Sequence, residues 1–131
     1  MATIRKFEDL EIWQRSHKLC KKIYLILQYE DLAKDYKLKD QINGSSGSIM
    51  DNIAEGFDRG GNKEFKTFLS YSKGSCSELK SQLYRALDRE YITQQEFDPL
   101  YEELAELSKM IASFMYYLGK NDYAGNKFKS N

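Results

Sequence analysis

Apolar residues in this chain recur at intervals of three and four, the period of an α-helix, and four such stretches can be followed. The first, 9–29, carries two neighbouring stripes: Leu10, Trp13, His17, Cys20, Tyr24 and Leu27 beside Ile12, Ser16, Leu19, Ile23 and Ile26. One stripe serves a single helix seam, whereas two make a wide apolar face. The pattern predicts a helix that is either central to the domain or also covers a second subunit. Residues 30–37 are polar and read as a connection. The second helix, 38–57, turns Leu38, Ile42, Ile49 and Ile53 inward. Gly44 and Gly47 interrupt it, each at a cost of about 1 kcal/mol relative to alanine, yet the apolar phase from Ile42 to Ile49 is kept. The third, 62–91, presents Phe65, Phe68, Leu69, Ser72, Cys76, Leu79, Leu83 and Leu87. The fourth, 94–118, presents Phe97, Leu100, Leu104, Leu107, Ile111, Phe114 and Leu118. It opens either on a Thr93–Glu96 capping box or on Asp98 with Pro99 in the first turn. Gly119 is expected to end it, and the polar remainder, 119–131, reads as a mobile tail.

Between the second and third helices, Gly56, Gly60 and Gly61 mark the corner of an antiparallel hairpin. Gly61 can cap the third helix, with Glu64 reaching back in a capping box. Asn52, Glu55 and Arg59 sit where one helix leaves carbonyls unpaired and the next leaves N–H groups unpaired, so they are expected to hold the corner. Folding about Arg59 sets Gly44 opposite the small patch Gly74-Ser75-Cys76-Ser77, which predicts helix axes closer than the usual ~8–10 Å. The whole, residues 1–131, reads as one all-α domain, an antiparallel up-and-down four-helix bundle.

Composition refines this picture. Lysine and arginine total 20 and aspartate and glutamate 20, so the chain is neutral and does not look like a simple polyanion binder. The charge is nevertheless segregated: residues 1–29 carry a net +3, 30–57 −3, 58–91 +2 and 92–118 −4. Alternation of this kind suits antiparallel neighbours, or subunits, that attract one another; a solvated mixed surface is the plainer reading. There is no signal-peptide core and no run of ~20 apolar residues, so no membrane is implied. Two cysteines, Cys20 and Cys76, are expected as reduced thiols in a cytoplasmic protein.

Four local motifs go further. They are Phe7-x-x-Leu10-x-Ile12-Trp13-Gln14, Asn52-Ile53-Ala54-Glu55-Gly56, Lys63-Glu64-Phe65-x-x-Phe68-Leu69 and Gly74-Ser75-x-x-Glu78-Leu79. In this order and spacing the chain resembles the bacterial four-helix-bundle proteins encoded in intervening sequences of 23S ribosomal RNA genes, which are related to the accessory protein of diversity-generating retroelements. The resemblance implies an up-and-down bundle that assembles into a ring, typically a pentamer. It also implies RNA or DNA, and a reverse transcriptase or another protein, as partners. Asn43 and Gly44 stand where family members often carry arginines, and the chain is neutral where the nucleic-acid-binding relatives are basic.

Candidate chemistry is sparse. Lys66, Lys73 and Lys80 repeat every seven residues and share one line with Ser70, Ser77 and Tyr84, suited to phosphate contacts. Arg15, Lys18 and Lys22 form a second row. Along the sequence neither row is interleaved with aromatic residues in the manner of single-strand binders. His17 and Cys20 are three apart, but zinc wants three or four ligands, so His17 reads as a core or interface residue. No nucleophile–base signature, phosphate loop or Glu-x-x-His pair is present, so no enzyme, metal or cofactor is expected. Two functions follow: a nucleic-acid-associated oligomer, or a protein-binding scaffold acting through apolar or acidic surfaces.

Overall fold

The computed structural model describes residues 4–120. A short 3-10 turn, Phe7–Asp9, leads into α1 (Glu11–Ile26), followed by α2 (Glu30–Lys34), α3 (Tyr36–Asp58), α4 (Asn62–Asp88) and α5 (Gln94–Lys120). The four long helices form the expected bundle. α3 packs on both α1 and α4, α5 packs on both α4 and α1, and α2 lies against α3. The predicted stripes supply the core: Ile42, Ile53, Phe65, Leu69, Leu79, Leu83, Leu104 and Ile111 are fully buried, and Phe57, outside those stripes, joins them. The tail beyond Lys120 lies outside the described residues.

Several boundaries differ from the sequence reading, each for a local reason. The connection expected at 30–37 contains α2, because Leu32 is fully buried and a helical turn carries it onto the core. Next, Asp35 caps α3, its Oδ1 accepting the Leu38 N–H at 3.3 Å. The expected third helix stops at Asp88 rather than 91, since Glu90 takes a left-handed conformation (φ 61°) and the Tyr91 N–H bonds back to the Ala86 carbonyl at 2.9 Å. α5 starts from the capping box, not from Asp98: the Glu96 N–H donates to Thr93 Oγ1 at 3.2 Å and the Thr93 N–H to Glu96 Oε1 at 2.8 Å. Pro99 therefore lies inside the helix. Gly119 remains helical and ends nothing.

The α3–α4 corner is three residues wide, Arg59, Gly60 and Gly61. Gly60 turns the chain at φ 89°, a conformation glycine adopts without penalty, and Gly61, extended, caps α4. Glu64 sits in the first turn, where its charge suits the helix dipole, but its reciprocal bond to Gly61 is not among those the described residues form. Close approach of the two helices occurs at Gly56. A Cβ placed there would lie 2.6 Å from Phe68 Cβ and 2.9 Å from Phe65 Cδ1. Farther along the seam, serines replace glycines as the contact. Ser72 Oγ donates to the Ile49 carbonyl at 2.8 Å, and Ser75 Oγ to Ser48 Oγ at 2.9 Å. Gly44 and Gly74, expected face to face, instead look outward with nothing within 4 Å of an added Cβ.

Two predictions follow from this seam and its far end. Gly56→Ala overpacks the corner and lowers stability by about 1–3 kcal/mol, whereas Gly44→Ala and Gly74→Ala each raise it by about 0.4–1 kcal/mol; urea titration measures all three. At the opposite end, Asp35 Oδ2 accepts from Tyr91 Oη and from Arg89, both at 2.8 Å. The Tyr91 hydroxyl first, then the Leu38 N–H and Arg89, hold this carboxyl below the usual carboxylate range against the opposing pull of burial. The folded state then binds fewer protons, so this stabilisation is present above the unfolded-state pKa and is lost as pH falls through the folded one. Melting temperature followed into acid drops less steeply in Asp35→Asn than in the parent; parallel curves would contradict the clasp.

Candidate functional site

The fold separates the two basic rows. On α1, Arg15 reaches Glu106 at 3.2 Å and Lys22 reaches Glu103 at 2.8 Å. These carboxylates belong to α5, so the positive first segment and the negative last one attract each other across one seam. Lys18 is exposed between them. A row committed to neighbouring carboxylates has little charge left for an external phosphate. Both pairs are partly solvated, and pairs of this kind contribute about 0–1 kcal/mol each.

The α4 row is different. Among the described residues, none of Lys66, Lys73 and Lys80 forms an ion pair. All three are half-buried, and at seven-residue spacing they share the face of α4 whose ends, Lys66 and Lys80, meet α5. Lys66 Nζ lies 3.1 Å from where a Cβ on Gly119 would stand, so that glycine makes room for the amine. Lys80 Nζ lies 5.5 Å from the centre of the Tyr101 ring. Lys66 shares a surface cleft with Asn62, Lys63, Thr67, Ser70 and Met115. Asn62 fastens that end of the groove, donating to the Leu118 carbonyl at 3.0 Å. Ser70 donates to the Thr67 carbonyl at 2.6 Å, which leaves its oxygen lone pairs as acceptors only.

To Tyr84, already on the line of the row, the neighbouring helix adds further aromatic residues. Tyr84 packs on Phe97 (4.9 Å between ring centres) and edge-on to Tyr101 (5.6 Å). The neighbouring Tyr101 hydroxyl, burial and Asp98 together raise the Tyr84 pKa, so the ring is a neutral phenol at physiological pH. Tyr116, next to Met115, is 66% exposed, with Lys120 Nζ 4.9 Å from its ring centre. The row itself stays without aromatic interleaving between its lysines, and the rings beside it are supplied largely across the α4–α5 seam. The hairpin register that pairs α3 with α4, applied to α4 and α5, would have brought Tyr101 beside Lys80.

At the corner, the polar residues hold the hairpin but not as expected. Asn52 reaches back along α3 to the Ser48 carbonyl and hydroxyl, both at 2.9 Å, and so joins the seam to Ser75 rather than capping a helix end. Arg59 pairs with Glu55 at 3.0 Å and lies 5.0 Å from the centre of the Phe68 ring, tying the end of α3 to α4.

The bundle buries one stripe of α1 throughout and the other only at its ends, at Leu10 and Leu27. Ile12, Leu19, Ile23 and Ile26 are buried, while Trp13, His17 and Cys20 are half-buried and Tyr24 and Leu25 are 60% and 63% exposed. His17 stacks beside Trp13 at 4.8 Å, and Cys20 Sγ contacts Ser46 Oγ at 3.8 Å. Among the described residues no group of three or more His, Cys, Asp or Glu is arranged to hold a metal ion. Burial pushes the Cys76 thiol up to about 11, against the smaller opposing pull of Lys80 and Lys73, so it stays protonated and unreactive. Among the described residues no helix is long and apolar enough to cross a membrane.

Comparison with known proteins agrees with this architecture. The chain is similar, with a TM-score of 0.73 and 23% identity, to a crystal structure of a protein of unknown function from the S23 ribosomal protein family of Bacteroides thetaiotaomicron VPI-5482; the match covers 79% of this chain and 97% of that one. At this identity the likeness speaks for the fold alone. No curated protein matches the chain. The family model described as 23S rRNA-intervening sequence protein matches residues 8–113, most of the bundle. With the helix order, the corner and that match in agreement, the chain belongs to the 23S rRNA-intervening sequence protein family.

Proposed function

We propose that this protein is a non-enzymatic, self-associating helical bundle of the cytoplasm that holds nucleic acid through Lys66, Lys73 and Lys80. One observation carries the reading: of two basic rows, the row on α1 gives Arg15 and Lys22 to Glu106 and Glu103, and the row on α4 has no carboxylate partner among the described residues. Three unpaired amines at seven-residue spacing along a groove suit a repeating polyanion, and a neutral chain can bind one where its charge is segregated in this way. Self-association rests on the outer stripe of α1, where Tyr24 and the adjoining Leu25 are left exposed by the described residues. A ring, as in the pentamer implied by the family resemblance, would repeat the lysine row by symmetry and raise affinity through multiple attachment.

The same uncovered stripe favours a second reading, a scaffold that captures another protein through α1 and makes no nucleic-acid contact. Salt separates the two, since electrostatic binding releases counterions and apolar capture does not.

The test is a titration of a short RNA at several salt concentrations. The parent binds with an affinity that falls steeply with salt. The Lys66→Gln/Lys73→Gln/Lys80→Gln variant lowers the slope of log affinity against log salt by about 2, at roughly 0.7 per single-strand phosphate contact. Arg15→Gln/Lys22→Gln leaves the slope in place. Unchanged binding in the α4 variant would overturn the assignment. In parallel, light scattering reports a lower mass for Leu25→Glu if the open stripe of α1 joins subunits.

A further inference from the structure

Resting on that reading, and narrowing its ligand, we infer that the α4–α5 groove is a track for single-stranded rather than duplex nucleic acid, with Tyr84 and Tyr116 as stacking platforms at its two ends. The lysine row runs about 21 Å from Lys66 to Lys80, at ~1.5 Å per residue. Its opposite wall is the α5 stripe Tyr101, Ala105, Ser108, Ala112, Met115 and Gly119, which steps by four and three. Tyr101 meets Lys80 at one end, and Met115 and Gly119 meet Lys66 at the other, so the small residues between them, in the same stripe, lie on the same side of α5. An exposed ring accompanies each end: Tyr84 beside Tyr101, and Tyr116 one position after Met115 in α5, with Lys120 Nζ 4.9 Å from its ring centre. Tyr84 is 47% exposed although it packs on Phe97 and Tyr101, and Tyr116 is 66% exposed.

Charge sorts which part of a strand goes where. The amines of Lys66 and Lys73 have no carboxylate partner, and they are the places for phosphates. At the Tyr84 end, the Asp98 carboxylate, which accepts from Gln94 Nε2 at 2.7 Å, and the exposed Glu102 repel phosphate and leave that end to an uncharged base. A basic groove with exposed rings is the arrangement by which proteins hold unpaired strands, because every base offers a face to stack. A duplex keeps its bases stacked inside and would use the lysines but not the rings.

The experiment compares short oligo(U), oligo(dT) and an RNA duplex of equal length, binding to the full chain at one salt concentration. Both single strands bind more tightly than the duplex. Tyr84→Leu and Tyr116→Ala each weaken oligo(U) binding by about fivefold or more, at the low end of what one stacked base contributes, and leave duplex binding unchanged. Tyr84→Phe, which keeps the ring, binds as the parent does. Tyr116 is mostly exposed, so its variant tests stacking even if Tyr84→Leu disturbs the Phe97 contact. Equal affinity for duplex and single strand, or tyrosine variants that bind like the parent while Lys66→Gln/Lys73→Gln/Lys80→Gln is weakened, overturns the single-strand assignment and leaves the lysine row as a general polyanion site. Binding that survives the lysine substitutions overturns both.

Discussion

Where Gly56 meets the first turn of α4, the two backbones approach so closely that one added methyl would collide with both Phe65 and Phe68. That contact, with the turn at Gly60, fixes how α3 and α4 lie against each other, and the rest of the bundle is hung on this hairpin. Beyond the corner, the helices are held by buried hydroxyls: Ser72 donates to a backbone carbonyl of α3, and Ser75 meets Ser48, itself bonded by Asn52. Small side chains allow the approach, and their hydroxyls must then find partners in a dry seam, since an unmade buried bond is costly. With Phe57 and Phe65 meeting edge-on at 6.1 Å just inside, the corner is the most constrained part of the fold.

Once the hairpin is set, α1 and α5 close the bundle, and they bring unequal electrostatics to their seams. The α1–α5 seam joins opposite charges, so its arginine and lysine are engaged within the fold. The α4–α5 seam joins lysines to aromatic and small residues, so its charge faces outward without a carboxylate partner among the described residues. The two rows lie on opposite flanks of α5 and do not merge. A sum of charges, which is zero here, says nothing of this division. It is the pairing of helices that turns an evenly balanced chain into one with a directed basic groove.

The bundle was legible because its signals are local and periodic. Heptad-like steps placed Ile42, Ile49, Leu69, Leu79, Leu104 and Ile111 in the core, where all are found, and the Thr93–Glu96 box was one of two starts offered for α5, the one the helix uses. What escaped depended on distant partners. Leu32 alone in a polar stretch carries no period, so α2 was invisible. Asp35 and Tyr91 are 56 positions apart, and nothing in either neighbourhood announces their bond. Gly119 resembled a helix end but is a space for Lys66, a distinction that requires knowing what lies opposite. Equally, Arg15 and Lys66 looked alike as members of basic rows; only the presence of Glu106 beside one, and Tyr101 and Gly119 beside the other row, tells them apart.

Lysine reactivity footprinting tests the central claim most directly. Acetylation of the full chain with and without saturating oligo(U), read by mass spectrometry, reports each amine separately. Lys66, Lys73 and Lys80 are expected to react readily in the free protein and to be protected together by the oligonucleotide, while Lys18 and Lys22 on α1 are unchanged by it. Protection confined to Lys18 and Lys22, or none at Lys66, Lys73 and Lys80 under conditions where the oligonucleotide is bound, would contradict it.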